Sequence, residues 1–234
     1  MSTKQTVAAG TIHVINASSR VDTGITDELA RTLRAFGDHG RIGIRCITLE
    51  NGPNGIVNAC DSDRAAPPIL DYISREASSE DALGFVVACF SNPGVFAARE
   101  ITSKPVVGIG EAGIAVATAF GEQIGLLAMS SKGGPGDWRA VRTMGLAPRV
   151  CGRVHIEVDY GRLHDEAYVG QCLGEGAIRL RDQYGANVVV LAGAGLGRYA
   201  QTLKESTGLI IIDPVFAAFA AVLSNLILSD VSRF

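Results

Sequence analysis

The sequence predicts an α/β protein made of two pseudo-symmetric α/β sandwich domains, each with a four-stranded parallel sheet, facing each other across a cleft. Three observations predict it. Short β-rich runs alternate with helical periodicities along the whole chain, and several of those runs are continuously apolar, as strands buried on both faces are. The order of elements then repeats in the second half.

The run 11–15 is β-rich and ends in the turn Asn16-Ala17-Ser18-Ser19, after which Ile25, Leu29, Leu33 and Phe36 recur at helical spacing until Gly37 and Gly40 stop the pattern. Residues 41–49 alternate as a strand. A loop rich in Gly, Pro and Asn follows, and Pro67-Pro68 is expected to open a helix through Ile69, Tyr72 and Ile73. The run 85–89 reads as a buried strand, Pro93-Gly94 as the start of the next helix, 105–109 as a fourth strand and 111–120 as a small-residue helix. The same order predicts strands at 124–128, 153–158, 188–192 and 209–212, with helices at 137–144, 165–184, 195–206 and 215–228. The expected division is 1–110 for the first half and 111–214 for the second, the closing helix at 215–234 packing back on the first.

Residues repeat as well as elements. Val14-Ile15-Asn16-Ala17-Ser18-Ser19 lies against Leu126-Leu127-Ala128-Met129-Ser130-Ser131, and Phe85-Val86-Val87-Ala88-Cys89 against Val189-Val190-Leu191-Ala192-Gly193. Gly193 is thereby the positional twin of Cys89. Ligands of parallel sheets bind outside the carboxyl ends of the strands, so both turns are expected on facing walls of one cleft.

Composition excludes several classes. With 47% apolar and 19% charged residues the chain describes a globular protein with a large core, and 21 basic against 24 acidic residues leave no footprint for nucleic acid or an acidic membrane. The first residues turn polar at Asn16 before a secretory apolar core forms, and the apolar stretch 215–228, broken by Ser224 and Asn225, falls short of a membrane span. Five scattered cysteines, an odd number, fit no disulfide framework and suggest a cytoplasmic location; none has the close spacing of a zinc site. No metal or cofactor is expected.

Ala88-Cys89-Phe90-Ser91-Asn92-Pro93-Gly94 is the most informative segment. A cysteine at a strand end just before a helix N-terminus is expected to have its pKa lowered toward neutrality, which favours the thiolate; the alternative is a small buried hydrophobe. Cys46 and Cys60 lack that placement, and packing is the better reading for Cys151, expected to precede a strand, and Cys172, expected to lie inside a helix. His13, His39, His155 and His164 show no catalytic spacing to Cys89. Gly193-Ala194-Gly195-Leu196-Gly197 has a dinucleotide-like look, but Arg198 stands where the third glycine of that motif belongs. The stretch 131–136 reads as a loop at the cleft mouth. Glu111 is read as a first-turn carboxylate and Asp213 as the cap of the last helix, while Asn16 and Ser18 either satisfy their own turn or meet substrate.

The stretch ACFSNPGVFAAREITSKPVVGIGEAG resembles the signature of the hydantoin and allantoin racemases, a branch of the aspartate/glutamate racemase superfamily. The turn after the first strand, with Asn16, and the run Ile211-Ile212-Asp213 with Val215 are similar to that family's pattern too. The resemblance implies a cofactor-independent enzyme in which two cysteines work on opposite faces of a carbon acid, and it implies Cys89 as one of them. The second family cysteine falls at Gly193, the family's paired threonines at Ala128 and Met129 with Ser130 next along, and its Asp after the first cysteine at Asn92. It further implies a small hydantoin, amide or carboxylate substrate held by Asn16, Ser18, Ser130 and the turns Phe90-Ser91-Asn92 and Gly193-Ala194-Gly195, backbone N–H groups at 90–92 and 194–196 receiving its oxygens. With one thiol missing, a single-cysteine lyase, cis-trans isomerase or hydrolase stands beside racemisation, as does a ligand-binding protein without activity. A homo-oligomer is expected.

Overall fold

The computed structural model describes residues 10–21, 24–37, 42–130 and 132–229. His39 and Ser131 lie outside them. The first half runs β1 (Gly10–Asn16), α1 (Ile25–Gly37), β2 (Ile42–Thr48), α2 (Ala59–Glu76), β3 (Ala82–Val87), α3 (Val95–Ile101) and β4 (Val106–Gly108). Next come α4 (Ile109–Ala117), β5 (Ile124–Ala128), α5 (Gly134–Thr143), β6 (Val150–His155), α6 (Glu166–Tyr184), β7 (Val188–Leu191), α7 (Ala200–Thr207), β8 (Ile210–Ile212) and α8 (Pro214–Ser229). The strands form two four-stranded parallel sheets of matching order, β2-β1-β3-β4 and β6-β5-β7-β8.

Three apolar clusters hold these layers together. On the outer side of the first sheet Ile69, Tyr72 and Ile73 of α2 and Val95 and Ala98 of α3 cover Ile15, Phe85 and Val87. Leu173, Ala177 and Leu180 of α6 and Leu203 of α7 do the same over Leu127, Val189 and Leu191 of the second. The third cluster joins the halves: Ile12, Val14 and Val86 share one core with Leu126 and Val190 through Ile114 of α4 and Phe219 and Val222 of α8. Helix α8 thus packs on α4, β3 and β4. Burial of this many aliphatic side chains is the main force fixing the two sheets relative to each other.

Several expectations are corrected. Pro67 and Pro68 sit in the middle of α2; the helix starts at Ala59, capped by Asn58, whose side chain accepts the Asp61 N–H at 3.0 Å, so the cap decides the start. Helix α5 begins at Gly134 with Pro135 in its first turn, which shortens the loop expected over 131–136. Cys151 lies inside β6, not before it. The helix expected at 195–206 is a 3₁₀ segment, Ala194–Tyr199, continued by α7. No helix among the described residues is long and apolar enough to cross a membrane.

Candidate active site

The sheets place their carboxyl-end turns around a cavity of about 750 Å³. The same hydrogen bond closes both halves: the Ala88 N–H donates to Ile15 O at 2.8 Å, and the Ala192 N–H to Leu127 O at 2.7 Å. Cys89 and Gly193, each one residue further on, therefore hold equivalent positions, and both line the cavity.

Cys89 is not at a helix N-terminus. Its turn closes on itself, Asn92 N–H to Cys89 O at 3.0 Å, and α3 starts only at Val95. Burial pushes the thiol above its ordinary pKa, opposed by hydrogen bonds from the Ser91 side chain and backbone, with the nearby Asp137 charge adding to the rise. The lowered pKa expected from the sequence is corrected on this ground. The Ser91 hydroxyl lies 3.3 Å from Cys89 Sγ and 2.8 Å from the Ser62 hydroxyl, so it is positioned to solvate a thiolate when one forms.

Two residues fasten this turn to α4. Asn92, with φ of 54°, accepts the N–H groups of Gly110 at 2.9 Å and Glu111 at 3.3 Å through Oδ1. Gly110 has no room for a side chain, since a Cβ there would come 1.9 Å from the Phe90 carbonyl oxygen. Glu111 accepts the Gly108 N–H at 3.1 Å and pairs with Arg99. Both Asn92 and Glu111 line the cavity, but Asn92 Oδ1 is engaged by the start of α4 and the Glu111 carboxylate by the Gly108 N–H and Arg99.

The polar turns behave similarly. Asn16 Oδ1 accepts the Ser18 N–H at 3.2 Å and its hydroxyl at 3.1 Å, while Nδ2 donates to Thr26 at 3.2 Å. Across the cavity Ser130 accepts the Lys132 N–H at 3.2 Å. All three line the cavity while satisfying their own turns. Of the six N–H groups expected to face substrate, those of Asn92 and Leu196 are taken, the latter by Gly193 O at 3.3 Å, and that of Ser91 is directed at the thiol. Those of Phe90, Ala194 and Gly195 enter no turn or ladder bond among the described residues.

Gly193 has φ of −179°, extended backbone open to any residue, and a Cβ there would meet only Leu196 carbon atoms at 3.4 Å. No other cysteine among the described residues lines the cavity: Cys46, Cys151 and Cys172 pack against the cores, and Cys60 is exposed on α2. No group of three His, Cys, Asp or Glu among the described residues is arranged to hold a metal ion.

The structure adds a pair that the sequence reading passed over. Asp137 of α5 and Arg153 of β6 line the same cavity as a buried ion pair, Nε to Oδ2 at 2.6 Å, with Arg153 Nη2 donating to Ser130 O at 2.6 Å. Their one visible signal in the sequence is the arginine in the middle of the strand Val150–His155. His164, exposed, reaches the cavity edge as well.

Two matched α/β halves closing on one cavity form an architecture shared with known racemases. Residues 12–222 match the family model for Asp/Glu/hydantoin racemases. The chain is 26% identical to the hydantoin racemase of Paenarthrobacter aurescens over 208 residues, 88% of this chain and 87% of that one. In three dimensions it is similar to the allantoin racemase from Klebsiella pneumoniae, with a TM-score of 0.86 and 26% identity over 94% of this chain and 89% of that one. Arylmalonate decarboxylase shares the fold, with a TM-score of 0.64 at 14% identity over 92% and 91% of the two chains. The chain belongs to the Asp/Glu/hydantoin racemase family. It is an isomerase of the racemase class.

Proposed function

We propose that the protein is a cofactor-independent racemase of a small cyclic ureide of the hydantoin type, with Cys89 as the base for one face of the stereocentre. The observation that carries this reading is Cys89 itself, the cavity-lining thiol at the end of β3, solvated by Ser91. A C–H flanked by a carbonyl is acidic because the carbanion delocalises as an enolate, so a thiolate above it and N–H donors at the carbonyl oxygen suffice for proton removal. The N–H groups of Phe90, Ala194 and Gly195, which have no backbone acceptor among the described residues, are suited to that oxygen. The names of the relatives favour a hydantoin or allantoin over an amino-acid carboxylate.

Gly193 supports a second reading, in which the protein delivers a proton to one face only, as a decarboxylase would. Proton NMR in deuterated water separates the two: loss of the C–H signal from 5-isopropylhydantoin is expected for the first, and carbon dioxide release from a disubstituted malonate for the second. Cys89→Ala is expected to abolish the exchange for the enantiomer whose C–H faces Cys89, with an unchanged circular dichroism spectrum. Full exchange in that variant would place the chemistry elsewhere. Homo-oligomerisation is part of the proposal, to be read from sedimentation equilibrium, and a monomer at all concentrations would remove it.

A further inference from the structure

Racemisation returns a proton to the face opposite the one it left, and here the position equivalent to Cys89 holds a glycine. We propose that Asp137, held by Arg153, is the acid–base group of the second face, standing in for the thiol that Gly193 lacks. This rests on the racemase reading above.

Four observations carry it. Asp137 lies on α5, in the half opposite to Cys89, and both line one cavity. Its Oδ2 is fixed by Arg153, whose own position is fixed by the Ser130 carbonyl, so the carboxyl group has one orientation. Oδ1 has no hydrogen bond among the described residues and is not among their buried unpartnered atoms, so it keeps accessible surface in a residue that lines the cavity. Burial raises the Asp137 pKa against the opposing pull of Arg153, and the Asp137 charge raises the Cys89 thiol. That effect of the Asp137 charge on the thiol puts the two groups within electrostatic reach of each other in the one cavity.

The steps balance. The Cys89 thiolate takes the C–H proton, and the bond's electron pair moves into the carbonyl to give the enolate. Asp137 then gives its carboxylic proton to the other face of the same carbon, the pair returning to form the new C–H bond. Cys89 is left as thiol and Asp137 as carboxylate, the form that converts the other enantiomer.

The test follows deuterium and optical rotation together, with each enantiomer of 5-isopropylhydantoin in deuterated water. For the unmodified protein, product is expected to carry deuterium while remaining substrate stays protiated. In Asp137→Asn, inversion is expected to fall at least 100-fold, while exchange with retention survives for the enantiomer whose C–H faces Cys89. Asp137→Glu, which keeps a carboxyl group, is expected to retain part of the inversion; if Asp137→Asn fails to fold, this variant and the labelling pattern of the unmodified protein decide. Inversion in Asp137→Asn within a few-fold of the unmodified rate, or labelling of substrate ahead of inversion in the unmodified protein, would overturn the role of Asp137. Absence of any exchange in the unmodified protein would instead overturn the racemase reading.

Discussion

The Cys89 thiol is pulled in two directions, raised by burial and lowered by Ser91, and that balance sets how much thiolate exists near neutral pH. A hydrogen bond to a charged group contributes about 1.5–3 kcal/mol, so Ser91→Ala is expected to slow C–H exchange roughly tenfold or more at pH 7 and to move the rising limb of the pH–rate profile to higher pH. An unmoved limb would show that Ser91 does not touch the thiolate. At Gly193 the extended backbone and the 3.4 Å spacing to Leu196 leave space for a thiol. Gly193→Cys is expected to fold with little change in Tm and, in the Asp137→Asn background, to restore inversion. If the double variant inverts no faster than Asp137→Asn alone, a thiol at 193 does not reach the second face.

Among the elements, α4 decides where the cysteine turn sits. Gly110 admits the Phe90 carbonyl against the helix, and the Asn92 side chain beside it holds the helix start. Gly110→Ala forces a methyl group into that contact, and overpacking of this kind costs roughly 1–3 kcal/mol. The expected result is a lower urea midpoint together with loss of exchange activity, because the turn carrying Cys89 must move. Activity retained at a lowered midpoint would separate the stability effect from the site. That α4 starts at Ile109, ahead of the expected 111, is the same effect: the Asn92 side chain, distant in sequence, satisfies N–H groups that local pattern leaves unpaired.

For the molecule as a whole, Asp213 links the site's support to pH. It sits between β8 and α8, accepts the Val215 N–H at 2.8 Å, and its Oδ2 is buried beside Gly197 without a hydrogen-bond partner among the described residues. Burial raises its pKa to about 6. A carboxyl group whose folded pKa lies above its unfolded value favours the fold when protonated, so stability falls as pH rises from about 4 to about 6, by roughly 3 kcal/mol in total. His13, buried against the Tyr72 hydroxyl at 2.8 Å with its pKa lowered by burial, works in the opposite sense below about 6.5. The difference in urea midpoint between the unmodified protein and Asp213→Asn, followed from pH 4 to pH 7.5, isolates the Asp213 contribution; parallel curves would refute it.

By itself the sequence determined the alternation of strands and helices, the duplication and the thiol at the end of the third strand. Those are local or periodic features: apolar runs, turn residues and motif spacing encode them within a few positions of one another. Only the tertiary structure decided the electrostatics. The helix field expected at Cys89 is absent because the turn closes before α3 begins, and burial, a property of the whole core, raises the thiol instead. Likewise Asp137 and Arg153 stand far from Cys89 in sequence, and only the joining of the two halves through α4 and α8 brings all three to one cavity.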